Sequence, residues 1–259
     1  MGRVTAITSR DNPLVARLRR LTAHPDAYRR LQQVWIEGEH LCEAWLERRG
    51  VGAQALIGET AWADPSLQRL ARRADAVALL PDALMRDLSP LDTPASLAFA
   101  VPWPGAGAVH SGLPTVVLDR LQDAGNVGTI LRTAAAFGFA QVVALQGTAA
   151  LWSPKVLRAG MGAHFKLELV ESADMAVLDA LELPLLATSP HAGGSLHLAE
   201  LPWPCGWVLG HEGQGIAAEV VQRCAMTLRI AQPGGEESLN AAVAAAICLY
   251  ESSRRRAGD

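Results

Sequence analysis

Residues 115–145 read TVVLDRLQDAGNVGTILRTAAAFGFAQVVAL, and this stretch decides the fold. TVVLD is a short apolar strand that stops at a polar, turn-rich loop. A helix is predicted over about 126–137, and QVVAL is the next strand. Two apolar strands joined through a helix imply a parallel sheet covered on both faces. The alternation continues downstream. A helical region is expected around 153–160, then strands in LPLLATS and GWVLG and a short helix after Gly215. A strand near MTLRIA and a final helix from 238 to about 254 complete the block.

Upstream, the same periods mark a second α/β block. A basic amphipathic helix over 13–21 follows an Asp-Asn start, and VWIEG is a strand closed by Gly38. A helix over 39–49 ends at Gly50, followed by strand AQALIG, a helix near 66–73, and strands VALLP and SLAFAV. The stretch VPWPGAGAVHSGLP, residues 101–114, is rich in Pro and Gly, lacks an apolar period, and reads as a linker. The expected organisation is therefore a domain over 1–100, a linker over 101–114 and a domain over 115–259.

Composition excludes several classes. Of 259 residues 50% are hydrophobic and 19% charged, which fits one large or two ordinary globular domains and not a disordered chain. The longest uncharged apolar run, 241–250, is about half of what a bilayer-spanning helix needs. The start, MGRVTAITSRDNP, lacks the apolar stretch of a secretory signal. Cys42, Cys205, Cys224 and Cys248 are scattered without a CxxC, as in reduced thiols, and argue against a zinc knuckle. Together these features predict a cytoplasmic location.

The net charge of −3 hides an uneven distribution. Residues 1–30 hold seven arginines against Asp11 and Asp26, and only Lys155 and Lys166 in the whole chain are lysine. Arginine's planar fork suits phosphate. A bias of the source genome accounts equally well for the Arg-to-Lys ratio, though less well for the clustering.

Three polar or glycine-rich segments follow three strands, where open parallel sheets bind ligands. In the first, Asn126 is expected to cap the helix that carries Arg132, an arginine among small and apolar residues. On this segment alone, a helix whose one arginine faces solvent explains the pattern too. In the second, His211 and Glu212 sit among glycines after GWVLG. A loose dinucleotide fingerprint over 213–218 falls too late in the chain for its fold, and no second histidine completes a zinc helix. In the third, a Gly234-Gly235 loop precedes Ser238 and Asn240 at the start of an alanine-rich helix. Ser238 as a simple helix cap, with Glu236 and Glu237 beside it, is the plainer explanation, but it leaves the loop and Asn240 unaccounted for.

In this order and spacing the segments resemble the signature motifs of the SpoU/TrmH family of the SPOUT superfamily, the S-adenosylmethionine-dependent RNA ribose 2′-O-methyltransferases. Asn126, Gly128 and Arg132 match the first motif, Gly210, Glu212 and Gly215 the second, and Ile230 with Ser238, Leu239 and Asn240 the third. The segment SPKVLRAGMGAHF is similar to the family's linking segment, and ITSRDNPLVARLRRL with VWIEGEHL to its N-terminal substrate-binding domain. The resemblance implies an α/β fold: a C-terminal trefoil-knot methyltransferase domain with a parallel sheet, behind a small N-terminal α/β domain that binds RNA. It implies a homodimer packed through the alanine-rich helix, S-adenosylmethionine as cofactor, and no metal.

Residue by residue, it places cofactor contacts at Gly210, Ile230 and Leu239, with Thr188 as an addition. It places the catalytic arginine at Arg132, supported by Asn126, Glu212, Ser238 and Asn240. Two departures stand out: Ala231 where the third motif has proline, with Pro233 displaced, and the bulkier His211 at a variable position. A guanidinium holds its proton across the physiological range. Arg132 is therefore read as a stabiliser of the developing alkoxide and an anchor for a nearby phosphate, with Glu212 orienting it. RNA affinity is assigned to Arg10, Arg17, Arg19, Arg20, Arg29 and Arg30. The motifs do not separate ribosomal from transfer RNA; the N-terminal domain favours the ribosomal target. A tRNA methyltransferase, a catalytically silent RNA-binding protein of the same fold and a nucleotide-dependent oxidoreductase are the competing readings.

Overall fold

The computed structural model of the chain describes residues 3–48, 50–189, 194–235 and 238–256. It divides into two compact units, Met1–Gly105 with Trp152–Phe165, and Ala106–Leu151 with Lys166–Asp259.

The first unit runs β1 (Arg3–Ala6), α1 (Pro13–Thr22), α2 (Ala27–Leu31), β2 (Gln33–Glu37), α3 (Glu39–Arg48), β3 (Gln54–Gly58), α4 (Glu59–Trp62), α5 (Pro65–Ala71), β4 (Ala76–Leu80), α6 (Asp82–Leu88) and β5 (Leu97–Pro102). Its sheet has the order β1-β4-β3-β5-β2, with β5 antiparallel to both neighbours and the other pairs parallel. Asn12 starts α1: its side chain accepts from the Leu14 amide at 2.9 Å, and Pro13 supplies a preset φ at the first helical position. Val15, Leu18 and Leu21 bury one face of α1, leaving Arg17 and Arg20 exposed on the other. The core centres on Trp35, Ile36, Leu56, Ile57 and Phe99, all under 2% exposed. One carboxylate lies within it. Glu37 accepts from Trp35 Nε1 at 2.9 Å, Ser89 Oγ at 2.8 Å and the Ala95 amide at 2.6 Å, so its burial is compensated. The short exposed β1 and the helices α2, α4 and α6 were not legible from periodicity, being too brief for a repeat to show.

The second stretch of chain runs β6 (Thr115–Asp119), α7 (Ala124–Ala136), β7 (Gln141–Leu145), α8 (Pro154–Gly160), β8 (Glu168–Ala173), β9 (Leu185–Thr188), β10 (Gly194–Ser195), β11 (Gly206–Gly210), α9 (Ala218–Val221), β12 (Met226–Arg229) and α10 (Ala241–Arg256). Helix α8 belongs to the first unit, where it packs on β2. The remaining strands form one sheet, β10-β12-β9-β11-β6-β7-β8, in which every pairing is parallel. Strands β6 and β7 are buried along their whole length, as apolar strands covered on both faces must be. Gly210 pairs with Asp119, which brings the carboxyl ends of β11 and β6 side by side.

The Pro/Gly-rich stretch 101–114 is irregular after Pro102 but anchored by hydrogen bonds along its length. Val101 and Pro102 pair with Val34 and Gln33 in the first sheet. Further on, Ala106 O accepts from the Glu171 amide at 2.8 Å, and the His110 amide donates to Gln141 Oε1 at 2.8 Å. Gly107, at φ +76°, lies so close to Leu169 that a Cβ would overlap its carbonyl oxygen.

Candidate active site

A cavity of about 1060 Å³ opens beyond the carboxyl ends of β9, β11 and β12, where parallel sheets present their loops. Thr188 ends β9, Gly210 ends β11, and Ile230 directly follows β12; all three line the cavity. Leu239, Ser238, Asn240 and Glu212 line it as well, and Ala241 and Ala244 bring one face of α10 to its wall. Every residue read from the second and third motifs is therefore gathered at one place.

The hairpin-like loop after β11 explains the glycines. The His211 amide donates to Gly215 O at 3.1 Å and the Gly215 amide to His211 O at 2.8 Å, with Gly215 at φ +69° closing the turn. A Cβ on Gly210 would overlap the backbone of Gly215 and Ile216, so no other residue fits there without moving the loop. His211 also has a defined role: its Nδ1 accepts from the amides of Gly213 at 2.9 Å and Gln214 at 3.3 Å. That assigns the proton of the neutral ring to Nε2.

The expected cap at Asn126 is corrected, and so is the alternative reading of Ser238 as a cap. Asp123, and not Asn126, caps α7, accepting from the Asn126 amide at 2.7 Å. Asn126 sits in the first helical turn, and its side chain is free for other partners. Its Nδ2 donates to Glu212 Oε1 at 3.2 Å, and its Oδ1 accepts from Asn240 Nδ2 at 3.0 Å. Asn240, and not Ser238, caps α10, its Oδ1 accepting from the Ala242 and Val243 amides at 2.9 and 3.2 Å. Glu236 and Glu237 lie outside the described residues. The result is one chain of bonds, Glu212–Asn126–Asn240, joining residues from all three motifs.

Glu212 closes that chain. Burial pushes its carboxyl upward. The bonds it accepts from its own backbone amide, from Asn126 and from the amides of Asp123 and Gln122 outweigh this, and hold it below the ordinary carboxylate value. It is therefore ionised at neutral pH.

Arg132 stands apart from these contacts. It is exposed on α7, six residues beyond Asn126, and makes no hydrogen bond or ion pair among the described residues. Glu212 spends its bonds on Gln122, Asp123 and Asn126, so the expected direct orientation of Arg132 by Glu212 is not what the structure has.

Sequence reasoning missed Asp119 and Arg120. Asp119 is 4% exposed in its side chain and accepts both from Arg120, through Nε at 2.9 Å and a terminal nitrogen at 3.1 Å, and from the Ala217 amide at 2.7 Å. Arg120 adopts φ +59°, a left-handed conformation that costs a non-glycine residue roughly 1–2 kcal/mol. An Asp-Arg pair directly at a strand end was the available signal. Among the described residues no group of three or more His, Cys, Asp or Glu is placed to hold a metal ion.

The arginines of the first unit differ from one another. Arg10 pairs with Asp87 at 2.7 Å, Arg20 Nε donates to Ala16 O at 3.4 Å, and Arg29 lies over the Tyr28 ring at 5.4 Å. Arg17, Arg19 and Arg30 make no ion pair or side-chain hydrogen bond among the described residues, and Arg17, Arg20 and Arg30 are exposed.

Fold and site together define an α/β protein with a ligand pocket beyond the ends of a parallel sheet, rimmed by a polar relay and carrying an unpartnered arginine on the adjacent helix. Residues 114–250 match the model of the SpoU rRNA methylase family. An uncharacterized tRNA/rRNA methyltransferase of Synechocystis sp. is 33% identical across 98% of this chain and 95% of its own length. The 23S rRNA (guanosine(2553)-2′-O)-methyltransferase of Bacillus subtilis is 28% identical across 83% of this chain and 86% of its own. The crystal structure of an AdoMet-bound rRNA methyltransferase from Sinorhizobium meliloti superimposes with a TM-score of 0.83 at 25% identity, over 98% of this chain and 99% of that one. The chain belongs to the SpoU rRNA methylase family.

Proposed function

We propose that this chain methylates a ribose 2′-hydroxyl of ribosomal RNA, with S-adenosylmethionine held in the cavity beyond β11 and Arg132 at the reacting oxygen. As a family member it is an RNA 2′-O-ribose methyltransferase that uses S-adenosylmethionine. The observation that carries the site assignment is the convergence of Thr188, Gly210, Ile230 and Leu239 on one cavity, with Glu212, Asn126 and Asn240 bonded along its rim.

The residues present fit such a cofactor. The cavity has the volume for a nucleoside with an amino-acid tail. Its wall sets the apolar side chains of Leu209, Ile216, Val221 and Leu239 beside polar ones that include Thr188, Glu212, Gln232 and Asn240, a mixture suited to a ligand with both apolar and polar parts. Gly210 lets backbone approach backbone at the entrance, and Gln232 contributes a buried Oε1 without a hydrogen-bond partner among the described residues, an acceptor that a ligand N–H would satisfy. When bound, the cofactor supplies an electrophilic methyl group.

The chain's own part is positioning and charge. A ribose hydroxyl becomes a good nucleophile as its proton leaves, and Arg132 offers several N–H donors to the oxygen on which charge grows, or to a phosphate beside it. Glu212, held ionised by the donors around it, serves as a scaffold that orients Asn126. Through Asn126 it fixes the first turn of α7, and so the helix on which Arg132 stands.

The finer assignments belong to the same proposal. Residues 1–100 bind RNA, chiefly through Arg17, Arg20 and Arg30, whose charges are not committed to carboxylates. Residues 115–259 carry the chemistry and thread a trefoil knot; the support is the insertion of β11 between β9 and β6, with α10 packed back on α7. A second copy of the chain covers α10, where Val243 and Tyr250 are 48% and 51% exposed on an alanine-rich helix. The location is cytoplasmic: Cys42, Cys205, Cys224 and Cys248 are all free thiols, as in a reducing compartment, and no helix among the described residues is long and apolar enough to cross a membrane.

Methyl-labelled S-adenosylmethionine, offered with separate ribosomal and transfer RNA pools, tests the reading. Label is expected on a ribose of ribosomal RNA. Label confined to transfer RNA would overturn the target, and label in neither pool would overturn the activity.

A further inference from the structure

The end of β6 carries an arginine that the proposed chemistry does not use. Its backbone amide donates to Thr148 Oγ1 at 3.1 Å, and that hydroxyl donates to Leu118 O at 3.0 Å, which pins Arg120 in its left-handed conformation. Gly147 leaves the room: a Cβ there would come within 3.2 Å of Arg120 Cγ. From this fixed point the guanidinium grips Asp119 through Nε and Nη2 and reaches the loop after β11 through Nη1 and Nη2. It donates to Gln214 Oε1 at 3.0 Å and to Gly215 O at 3.4 Å. Asp119 completes the contact by accepting from the Ala217 amide at 2.7 Å. Residues 214, 215 and 217 are thus tied from one side by a two-residue unit, and residues 210–216 form a wall of the cavity.

We propose that Asp119 and Arg120 are a positioning pair that holds the loop over 211–217 in its ligand-binding shape, setting affinity for S-adenosylmethionine while touching neither the methyl group nor the RNA. The inference rests on the methyltransferase reading of the cavity. It goes beyond that reading because the loop could have been shaped by its own internal turn alone. A lone guanidinium in solution would pair with carboxylate in many geometries; here the planar fork fixes one. In this left-handed conformation the side chain reaches both Asp119 and the loop, contacts that offset the cost of the strained backbone.

Arg120→Gly removes the fork and tolerates the φ, so it isolates the contact from the strain. By titration calorimetry the variant is expected to bind S-adenosylmethionine about tenfold more weakly, with kcat at saturating cofactor lowered less than about threefold. Amide exchange over 213–217 in the cofactor-free protein should speed up about tenfold or more. Arg120→Lys should resemble Arg120→Gly, since a point charge does not replace the fork. Gln214→Ala, on the exposed loop, should weaken binding less, and adding it to Arg120→Gly should cost little more because the two share a bond. Wild-type affinity together with wild-type loop exchange in Arg120→Gly would overturn the proposal. Should that variant fail to fold, strictly additive losses from Gln214→Ala and Arg120→Lys would overturn it equally. A wild-type protein that binds no S-adenosylmethionine would instead overturn the functional reading, and the loop exchange would still decide the positioning role.

Discussion

Arg120 and Arg132 lie twelve residues apart, one at the end of β6 and one on the helix that follows, and their surroundings are opposite. Arg120 bonds to Asp119, Gln214 and Gly215 and is 33% exposed in its side chain. Arg132 is exposed and bonded to nothing among the described residues. A guanidinium that is already satisfied can shape a site but has little left to offer a substrate. An unsatisfied, exposed one is available to charge that appears only when RNA arrives and reacts. The contrast teaches that in this chain the arginine of the motif is the bare one, while the architecture is carried by one outside it.

The largest expected effect breaks the bare side of the comparison. Arg132→Ala should lower the methyl-transfer rate on the order of a hundred- to a thousand-fold, the usual consequence of losing one well-placed donor to a transition state, with unchanged thermal stability. Arg132→Lys should recover only a small part of it. Single-turnover transfer to RNA, beside a melting curve, checks both.

The relay between the two regions comes next. Asn240→Ala removes the cap of α10 and the donor to Asn126 together, and should cost about 0.5–2 kcal/mol of stability, read from denaturant midpoints. Asn126→Ala removes only the relay, because Asp123 does the capping. Its cost should fall on turnover, by roughly tenfold, with stability nearly intact. A large stability loss in Asn126→Ala would return the capping role to that residue.

A smaller effect is expected in the first unit. Replacing Arg17, Arg20 and Arg30 together by Ala should weaken RNA binding and flatten its salt dependence by up to about three units of slope, while cofactor affinity stays put. Point substitution is the right instrument, since Trp152–Phe165 belongs to that unit and a truncation at residue 100 would strip it of its partners. The least effect concerns Glu251. Two nitrogens of Arg254 hold its carboxyl down, burial opposes them, Arg255 adds a further bond, and the pKa comes to about 2 from an ordinary 4.5. A depressed carboxylate adds stability that is present above 4.5 and lost as pH falls toward about 2. Glu251→Gln should therefore flatten the melting temperature over that window and leave it flat, as in the wild type, at neutral pH.

The comparison of arginines also marks what was legible in the sequence. TVVLD, QVVAL and GWVLG announced buried parallel strands because a strand covered on both faces is lined mainly by apolar residues, with the polar Thr115, Asp119 and Gln141 confined to the strand ends. The motif spacing then gathered Gly210, Ile230, Leu239 and Glu212 at one cavity. The caps were misassigned because Asp123 and Asn126 stand three residues apart, either type can cap, and only the turn geometry chooses. Strand β8 escaped notice because its sequence, ELVESA, interrupts the apolar run with Glu168, Glu171 and Ser172. Arg120 escaped for a different reason: the Asp-Arg pair at a strand end marks the place, but its role depends on a left-handed φ and on a loop some ninety residues away, and neither shows in the local sequence.

The central claim is that the two arginines divide the labour, one building the cofactor pocket and the other acting on the reaction. Single-turnover methylation of RNA, followed as a function of S-adenosylmethionine concentration for the wild type, Arg120→Gly and Arg132→Ala, tests it most directly. The account predicts a crossed result. Arg120→Gly should shift the half-saturating concentration upward and approach the wild-type plateau, whereas Arg132→Ala should keep the half-saturating concentration and lose the plateau. Equal losses of plateau in both variants, or a plateau retained in Arg132→Ala, would contradict it.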